Sequence, residues 1–279
     1  MKNPLLLLSL VLLTACNATG SLVKESALSL TEREGRESFK LAGELPANFL
    51  IQATAQFNPL NPERCQIYNM GLGHNVTRDT RKQYSTEFQD EPSSFSFDIP
   101  LTYHIGLCDM ELGRVALTME GRYGNKDWQR HGAYGGIGIA ETRPAGAPEF
   151  SPDGTQTLRG LCTWLFQLSK ARSRQGLISK VLSCSETDEL WELDPDFVKR
   201  RSIGLALGRD ELPGKTLVLD LRVNPKEQPA YRNTWIEFSE GWKPCQPKEG
   251  GWISCQSPPI FKTFRMNGRE CTVYPACTE

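Results

Sequence analysis

Apolar and polar residues alternate along much of the chain, with the period of two that places successive side chains on opposite faces of a β-strand. The longest such run has five apolar residues on one face: Phe49, Ile51, Ala53, Ala55 and Phe57. Shorter runs repeat the pattern: Phe95, Phe97 and Ile99; Tyr103, Ile105 and Leu107; Val115, Leu117 and Met119; and Leu217, Leu219, Leu221 and Val223. The pattern predicts a mainly β protein whose strands each bury one face.

Turn and helix signals refine this picture. Asn267-Gly268 separates the short runs "FKTFRM" and "RECTVY" and predicts a β-hairpin, because both residues tolerate the positive φ of a type I′ turn. The segment "DPDFVKRR", which begins at Asp194, has a candidate N-cap, a proline at the first helical position and basic residues at its end. It predicts one short helix, so we expect little helix in the fold.

Residues 141–157 are rich in proline and poor in apolar side chains, which is typical of a linker. We therefore expect two β domains, 38–140 and 158–279, in a disulfide-stapled, β-sandwich-like architecture. Gly106-Leu107-Cys108 and Gly160-Leu161-Cys162 each introduce a strand-like run. This repeat would fit two related halves, although chance explains three residues equally well.

The first fifteen residues have the features of an export signal. Lys2 is the only charged residue among them, and the run from Leu5 to Leu13 is apolar except for Ser9. Such a run is too short to cross a bilayer core of roughly 30 Å, which favours a secretory signal. The end of the segment, Leu13-Thr14-Ala15-Cys16, resembles the bacterial lipoprotein signal, in which the cysteine becomes the acylated N-terminus.

That resemblance implies removal of residues 1–15 and lipidation of Cys16, whose acyl chains would anchor the protein to a membrane. The alternative is an ordinary signal peptide with a cysteine near its cleavage site. Asn17 replaces the aspartate that favours the inner membrane in enteric bacteria, so we expect a periplasmic protein on the outer membrane. Residues 16–37 would form a lipidated tether that keeps the folded part near that membrane.

The chain has nine cysteines, and eight remain when Cys16 is set aside. In an oxidising compartment an even number predicts disulfides, here among Cys65, Cys108, Cys162, Cys184, Cys245, Cys255, Cys271 and Cys277. A hairpin turning in the polar segment 170–176 would place Cys162 opposite Cys184, and a turn at Gly250 would place Cys245 opposite Cys255. Cys65–Cys108 and Cys271–Cys277 follow by elimination. Cys255–Cys271 with Cys245–Cys277 remains an alternative.

Charge and motifs exclude several classes of function. The 32 basic and 33 acidic residues nearly balance, which gives no reason to expect a nucleic-acid partner. His74, His104 and His131 are scattered, and the cysteine spacings do not match a zinc site, so we expect neither a metal nor a cofactor. The sequence lacks the serine-hydrolase, zinc-protease and phosphate-loop motifs, and we expect a protein that is not an enzyme.

The segment 120–138 is the most unusual, because aromatic and charged residues alternate there with glycines. Tryptophan, tyrosine and arginine on such a loop are typical of binding hot spots. The candidate partner-binding residues are Arg122, Tyr123, Lys126, Asp127, Trp128, Arg130, His131 and Tyr134. The alternative is that Tyr123 and Trp128 fill the end of the sandwich while Arg122 and Asp127 pair internally. Two further candidate surfaces are the acidic loop 185–196, with Trp191, and the hairpin tip 172–175.

The lipoprotein signal, the alternation leading into Cys108 and the stretch "GRYGNKDW" at residues 121–128 together resemble, in general layout, a group of periplasmic lipoproteins. These are the immunity proteins encoded beside antibacterial, phospholipase-type effectors of type VI secretion systems. The resemblance implies a protein that protects the producing cell by covering the active site of an incoming toxin. The alternatives are a structural or assembly lipoprotein of the envelope or secretion apparatus, and a lipoprotein enzyme.

Overall fold

The computed structural model describes residues 28, 30–168, 177–196, 199–249 and 254–277. The strands in these ranges are β1 Arg33–Glu34, β2 Ser38–Leu45, β3 Phe49–Pro59, β4 Gln66–Asn69, β5 His74–Thr77, β6 Thr80–Ser85, β7 Ser93–Pro100, β8 Thr102–Ile105, β9 Cys108–Arg122, β10 Arg130–Ala140, β11 Thr155–Leu168, β12 Ile178–Glu186, β13 Gly204–Gly208, β14 Thr216–Val223, β15 Gln228–Pro229, β16 Trp235–Phe238, β17 Gly241–Pro244, β18 Phe264–Met266 and β19 Arg269–Cys271. Short 3-10 turns lie at Asp127–Gln129, Arg209–Glu211 and Arg232–Thr234. The prediction of a mainly β protein is confirmed.

The predicted helix after Asp194 falls partly on residues 197–198, which lie outside the described residues. Among the residues described, no helix is long and apolar enough to cross a membrane.

Two large sheets form the body of the protein. In the first, β9 is the central strand: β3 pairs along one side of it, while β8 and β10 pair with successive parts of the other side. The order β1-β8-β9-β10-β13 is completed by β6 on β3. The second sheet has the order β12-β11-β14-β2-β7, with β15 also on β11. Its three middle strands, β11, β14 and β2, are parallel.

Both sheets draw strands from each side of the predicted linker 141–157. In the first sheet β10 pairs with β13, and in the second β2 pairs with β14. The boundary between residues 38–140 and 158–279 therefore does not separate two β domains, and the expected division needs correction. Residues 141–154 are polar because they cross the surface between the two sheets, where a loop has the same composition as a linker, and residues 155–157 already belong to β11.

The main core lies between the two sheets and contains the inward residues of both. Alternation supplies these residues as expected: Phe49, Ile51, Ala53, Ala55 and Phe57 are all buried. The rings of Phe49 in the first sheet and Trp164 in the second lie 6.3 Å apart. A Cβ on Gly121 would lie 2.9 Å from Cζ2 of Trp164, so glycine there lets the indole pack against the end of β9.

Leu107 departs from the predicted pattern. Its neighbours Tyr103 and Ile105 are buried, as the alternation indicated, but the side chain of Leu107 is 85% exposed. The preceding residue, Gly106, has a φ of +60°, which turns the chain from β8 into β9. The period of two ends at this turn, so Leu107 no longer shares the inward face of β8.

A second, smaller core lies beyond the ends of β11 and β12. It consists of Phe166, Ile178, Trp235, Phe264, Cys271 and Tyr274. The predicted Asn267-Gly268 hairpin is part of this region: it joins β18 to β19, with φ values of 52° and 81°. This small core attaches the C-terminal strands to β11, whose Phe166 belongs to it.

Four disulfides staple these parts together, and the predicted connectivity is confirmed. The pairs are Cys65–Cys108, Cys162–Cys184, Cys245–Cys255 and Cys271–Cys277. Cys162 and Cys184 lie directly opposite each other in the β11–β12 ladder, as the hairpin arithmetic predicted. The alternative pairing of the last four cysteines is not adopted.

The disulfides should differ in their contribution to stability according to the loops that they close. Cys65–Cys108 spans 43 residues and Cys271–Cys277 spans 6. Loop-closure entropy gives about 4 kcal/mol for the first and about 2 kcal/mol for the second. Urea unfolding of the double variants Cys65→Ser/Cys108→Ser and Cys271→Ser/Cys277→Ser should show this order. If the two double variants lost equal unfolding free energy, or the second lost more, the expected order of the two disulfide contributions would be wrong.

Candidate functional site

The candidate loop connects β9 to β10 and is held rigidly by its own backbone. The N–H of Tyr123 donates to the carbonyl of Gln129 at 3.0 Å, which closes the base of the loop. The N–H of Gln129 donates to the carbonyl of Lys126, and the N–H of Lys126 donates to the side-chain oxygen of Gln129. The loop therefore extends the β9–β10 hairpin with little freedom of its own.

Tyr123 is inserted into the sandwich. Its ring lies 5.3 Å from that of Trp164 and 6.2 Å from that of Trp128, in edge-to-face geometry with both. Its hydroxyl oxygen accepts a hydrogen bond from the N–H of Lys180, at 3.1 Å. Tyr123 thus connects the loop to β12, which belongs to the other sheet.

His131 makes a second connection of the same kind. Its Nδ1 lies 3.2 Å from the N–H of Leu182 and accepts that hydrogen bond. The donors from Lys180 and Leu182 both lie on β12, the edge strand of the second sheet. Tyr123 and His131 therefore cover donors that an edge strand would otherwise leave open.

Arg122 is fixed by internal partners. Its Nε donates to the side-chain oxygen of Asn48 at 2.9 Å, and its Nη2 pairs with the carboxylate of Asp90. Its guanidinium also lies 5.1 Å from the ring of Phe88, and that of Arg130 lies 5.4 Å from the same ring. The two arginines thus flank one aromatic side chain at the base of the loop.

The remaining candidate residues face solvent to different degrees. Tyr134 is 71% exposed, and Lys126, Asp127 and Arg130 are also exposed. Arg130 lies 3.9 Å from the Asp127 carboxylate, a weak surface pair. Trp128 is half-buried against Tyr123, and the Lys126 ammonium lies 5.9 Å from its ring.

The eight sequence-predicted residues therefore divide into two groups. Arg122, Tyr123 and His131 build the end of the sandwich, but the expected internal pair is different: Arg122 pairs with Asp90, and Asp127 lies near Arg130. Lys126, Asp127, Arg130 and Tyr134 present their side chains outward, with Trp128 between the groups. The inner group holds the backbone that carries the outer group.

A cleft that the sequence did not indicate lies beside this hairpin. It has a volume of about 820 Å³ and aromatic walls from Phe166, Trp242 and Tyr274. At its floor, the Lys180 ammonium lies 2.5 Å from one oxygen of Glu227, and the Tyr274 hydroxyl donates to the other oxygen. Each contact joins residues 47 positions apart in the chain, so no spacing rule could have revealed it.

Burial and a neighbouring carboxylate act on the Tyr274 hydroxyl. Burial raises the pKa of the Tyr274 phenol well above its usual range, and the hydrogen bond to the Glu227 carboxylate raises it further. The phenol therefore stays protonated and remains a donor. Both carboxylate oxygens of Glu227 are hydrogen-bonded, so the network forms a fixed polar floor beneath the aromatic wall. This arrangement is suited to holding a ligand or a partner's side chain.

The acidic loop 185–196 is organised by its own contacts. The guanidinium of Arg222 stacks on Trp191, 3.8 Å from the ring centroid. The Asp188 carboxylate accepts hydrogen bonds from the N–H groups of Leu190 and Glu192. The other candidate surface, the hairpin tip 172–175, lies outside the described residues.

Comparison of the chain with models of known protein families, with curated proteins and with solved structures gave no match. Within the described ranges, no three His, Cys, Asp or Glu side chains are grouped so that they could hold a metal ion.

Replacing Tyr123 by phenylalanine should destabilise the fold while keeping the ring packing. The variant leaves the partly buried N–H of Lys180 without its acceptor, which costs about 1–3 kcal/mol. Tyr134→Phe is the matched control, because it removes an exposed hydroxyl and should change stability by less than about 0.5 kcal/mol. Urea unfolding measures both, and equal stabilities would show that the Tyr123 hydroxyl does not hold β12.

Proposed function

We propose that this protein is a lipid-anchored periplasmic binding protein that neutralises a secreted toxin by covering its active site. The observation that carries the proposal is the rigid β9–β10 hairpin. Its inner residues are fixed to the second sheet, while Tyr134, Arg130, Asp127 and Lys126 face outward. A binding surface held in this way loses little conformational entropy when a partner docks.

The chemistry of the outward residues suits a protein partner. Tyrosine supplies a large contact area with few rotatable bonds, and arginine can donate two parallel hydrogen bonds to a carboxylate. This surface has one excess positive charge, because it carries two basic residues, Lys126 and Arg130, and one acidic residue, Asp127. An acidic rim around the partner's active site would complement it.

The location of the protein is proposed from the sequence. Four disulfides support an oxidising compartment, as in the periplasm. The Leu13-Thr14-Ala15-Cys16 motif supports acylation of Cys16, and Asn17 supports the outer membrane. The phospholipase-type toxin as partner is supported by the resemblance to immunity lipoproteins. A structural or assembly lipoprotein would use the same surface for a stable component of the envelope.

Protection of living cells tests the proposed function directly. The proteins encoded beside this one are directed, one at a time, to the periplasm of a test bacterium that does or does not carry this protein. We expect one of them to be toxic and this protein to restore growth. If none is toxic, or if the toxic one is not neutralised, the proposal fails, and a stable complex with a non-toxic neighbour would indicate the assembly role.

Substitutions in the hairpin should separate binding from folding. Arg130→Ala and Tyr134→Ala remove outward side chains, so each should weaken toxin binding by about 30-fold, or about 2 kcal/mol, without changing the melting temperature. Arg269→Ala and Tyr231→Ala are matched controls, because both residues are exposed on other parts of the surface. Isothermal titration calorimetry gives the affinities. Wild-type affinity in an Arg130→Ala/Tyr134→Ala double variant would exclude this surface.

The anchor has its own test. Cys16→Ser should move the protein from the membrane to the soluble periplasmic fraction and leave the fold intact, because the four disulfides use the other eight cysteines. Cell fractionation and thermal unfolding measure the two effects. A variant that still partitions with membranes like the wild type would show that Cys16 is not the anchor.

A further inference from the structure

The end of the sandwich at the turn between β8 and β9 exposes a group of large apolar side chains. Leu107, in the turn itself, is 85% exposed, and Leu30 is 88% exposed. Leu60, Tyr68, Met70 and Leu72 are each at least half exposed. We call this region the β8–β9 end. Scattered apolar residues are normal on a surface, but several at one place mark an interaction site.

Backbone pairing and a disulfide bring these residues together. Pro59, the last residue of β3, pairs with Met110 near the start of β9, and the N–H of Leu60 donates to the carbonyl of Asp109 at 2.9 Å. Leu60 therefore lies beside the turn that carries Leu107. The Cys65–Cys108 disulfide holds the base of the β4–β5 hairpin at the same place. Tyr68 lies on that hairpin, and Met70 and Leu72 lie in its tip.

The N-terminal segment enters the fold at the same end. The N–H of Gly106 donates to the hydroxyl of Thr31 at 2.7 Å. A Cβ on Gly106 would lie 2.6 Å from Cδ2 of Leu28, so the leucine packs against the turn. Cys16 lies only twelve positions before Leu28. Even a fully extended chain covers at most about 40 Å over that interval, so an acylated Cys16 would keep this end within that distance of the bilayer.

We propose that the β8–β9 end rests on the lipid surface, with Leu107, Leu30 and the tip of the β4–β5 hairpin in contact with the interfacial layer. The inference rests on the proposed lipid anchor and adds to it a defined contact surface. Leucine and methionine side chains are stabilised when they move from water into the interfacial layer. Tyrosine suits an environment that is apolar on one side and hydrated on the other. Glu63, Arg64 and Asp109 border the group with charges of both signs, so apolar contact, and not lipid charge, would hold it.

This orientation places the candidate binding surface far from the membrane. Strand β9 starts next to Leu107 and runs fifteen residues to Arg122, at the base of the β9–β10 loop. At about 3.3 Å per residue this strand is roughly 45 Å long when measured along its path, which includes a β-bulge opposite Gln56 and Phe57. The tethered protein would thus present Tyr134 and Arg130 towards the periplasm, to a partner that approaches from that side.

Quenching by brominated lipid tests the contact. With four disulfides formed, Cys16 is the single free thiol, so the mature chain from Cys16 can be coupled to phosphatidylcholine vesicles through a maleimide lipid, whether or not it is acylated in cells. Leu107→Trp places an indole at the β8–β9 end. Its emission, taken as the difference from the parent chain, should fall in brominated vesicles and be retained in unbrominated ones.

Leu190→Trp is the matched control. Leu190 is 77% exposed, and its neighbour Trp191 stacks on Arg222. Arg222 lies past the last residue of β14 that pairs with β2, on the side of the β9–β10 end. The emission that Leu190→Trp adds to that of the parent chain should be the same in brominated and unbrominated vesicles. Equal quenching of the two indoles, or none for Leu107→Trp, would overturn the orientation, while toxin binding by the same samples reports separately on the proposed function. A different result would be that the Cys16→Ser chain dimerises and that Leu107→Ser abolishes the dimer. This result would assign the surface to a second copy of the chain and would also overturn the proposal.

Discussion

The hydrogen-bonded ladder around β9 is the constraint on which the other features of the structure depend. This strand pairs with β3 along one side and with β8 and β10 along the other, so it fixes the register of three strands at once. Its first residue, Cys108, carries the disulfide to Cys65, and its last, Arg122, begins the candidate loop. Because β9 is hydrogen-bonded to neighbours along its length, it connects the two ends of the sandwich through one paired strand.

The second sheet depends on the first at an exposed edge. Strand β12 has donors that its partner β11 does not use, and Tyr123 in the β9–β10 loop and His131 in β10 accept from two of them. The same side chains that complete the sandwich therefore fix the loop that carries the outward-facing residues. Lys180 extends this connection, because its backbone contacts Tyr123 while its ammonium group reaches Glu227 in the cleft. Loop, edge strand and cleft form one continuous structure.

The two ends of β9 differ in chemistry as well as position. One end gathers leucines, methionine and tyrosine near the place where the N-terminal segment joins the fold. The other end combines aromatic and charged residues on a hairpin with little freedom. The proposed anchored inhibitor would need both properties, since one surface would contact the membrane while the other stayed accessible.

The sequence by itself determined the local structure. Alternation identified the strands and their buried faces, Asn267-Gly268 identified a hairpin, and the symmetry of residues about a polar segment paired Cys162 with Cys184. These features depend on neighbours within a few residues or across one turn, where the period of side chains and the preferences of turns act directly. The loop 120–138 stood out by composition, but composition could not separate Tyr123 and His131, which point inward, from Tyr134, which points outward.

Only the tertiary structure decided how the strands were arranged. The pairings of β2 with β14 and of β10 with β13 join residues far apart in the chain, and they removed the expected boundary at residues 141–157. Leu107 left its predicted face because the turn at Gly106 ended the alternation. The Lys180–Glu227–Tyr274 cleft joins side chains that share no local pattern. Such contacts arise from the packing of whole sheets. The alternation of side chains with a period of two shows which face of a strand is buried, but it does not show which strand pairs with it.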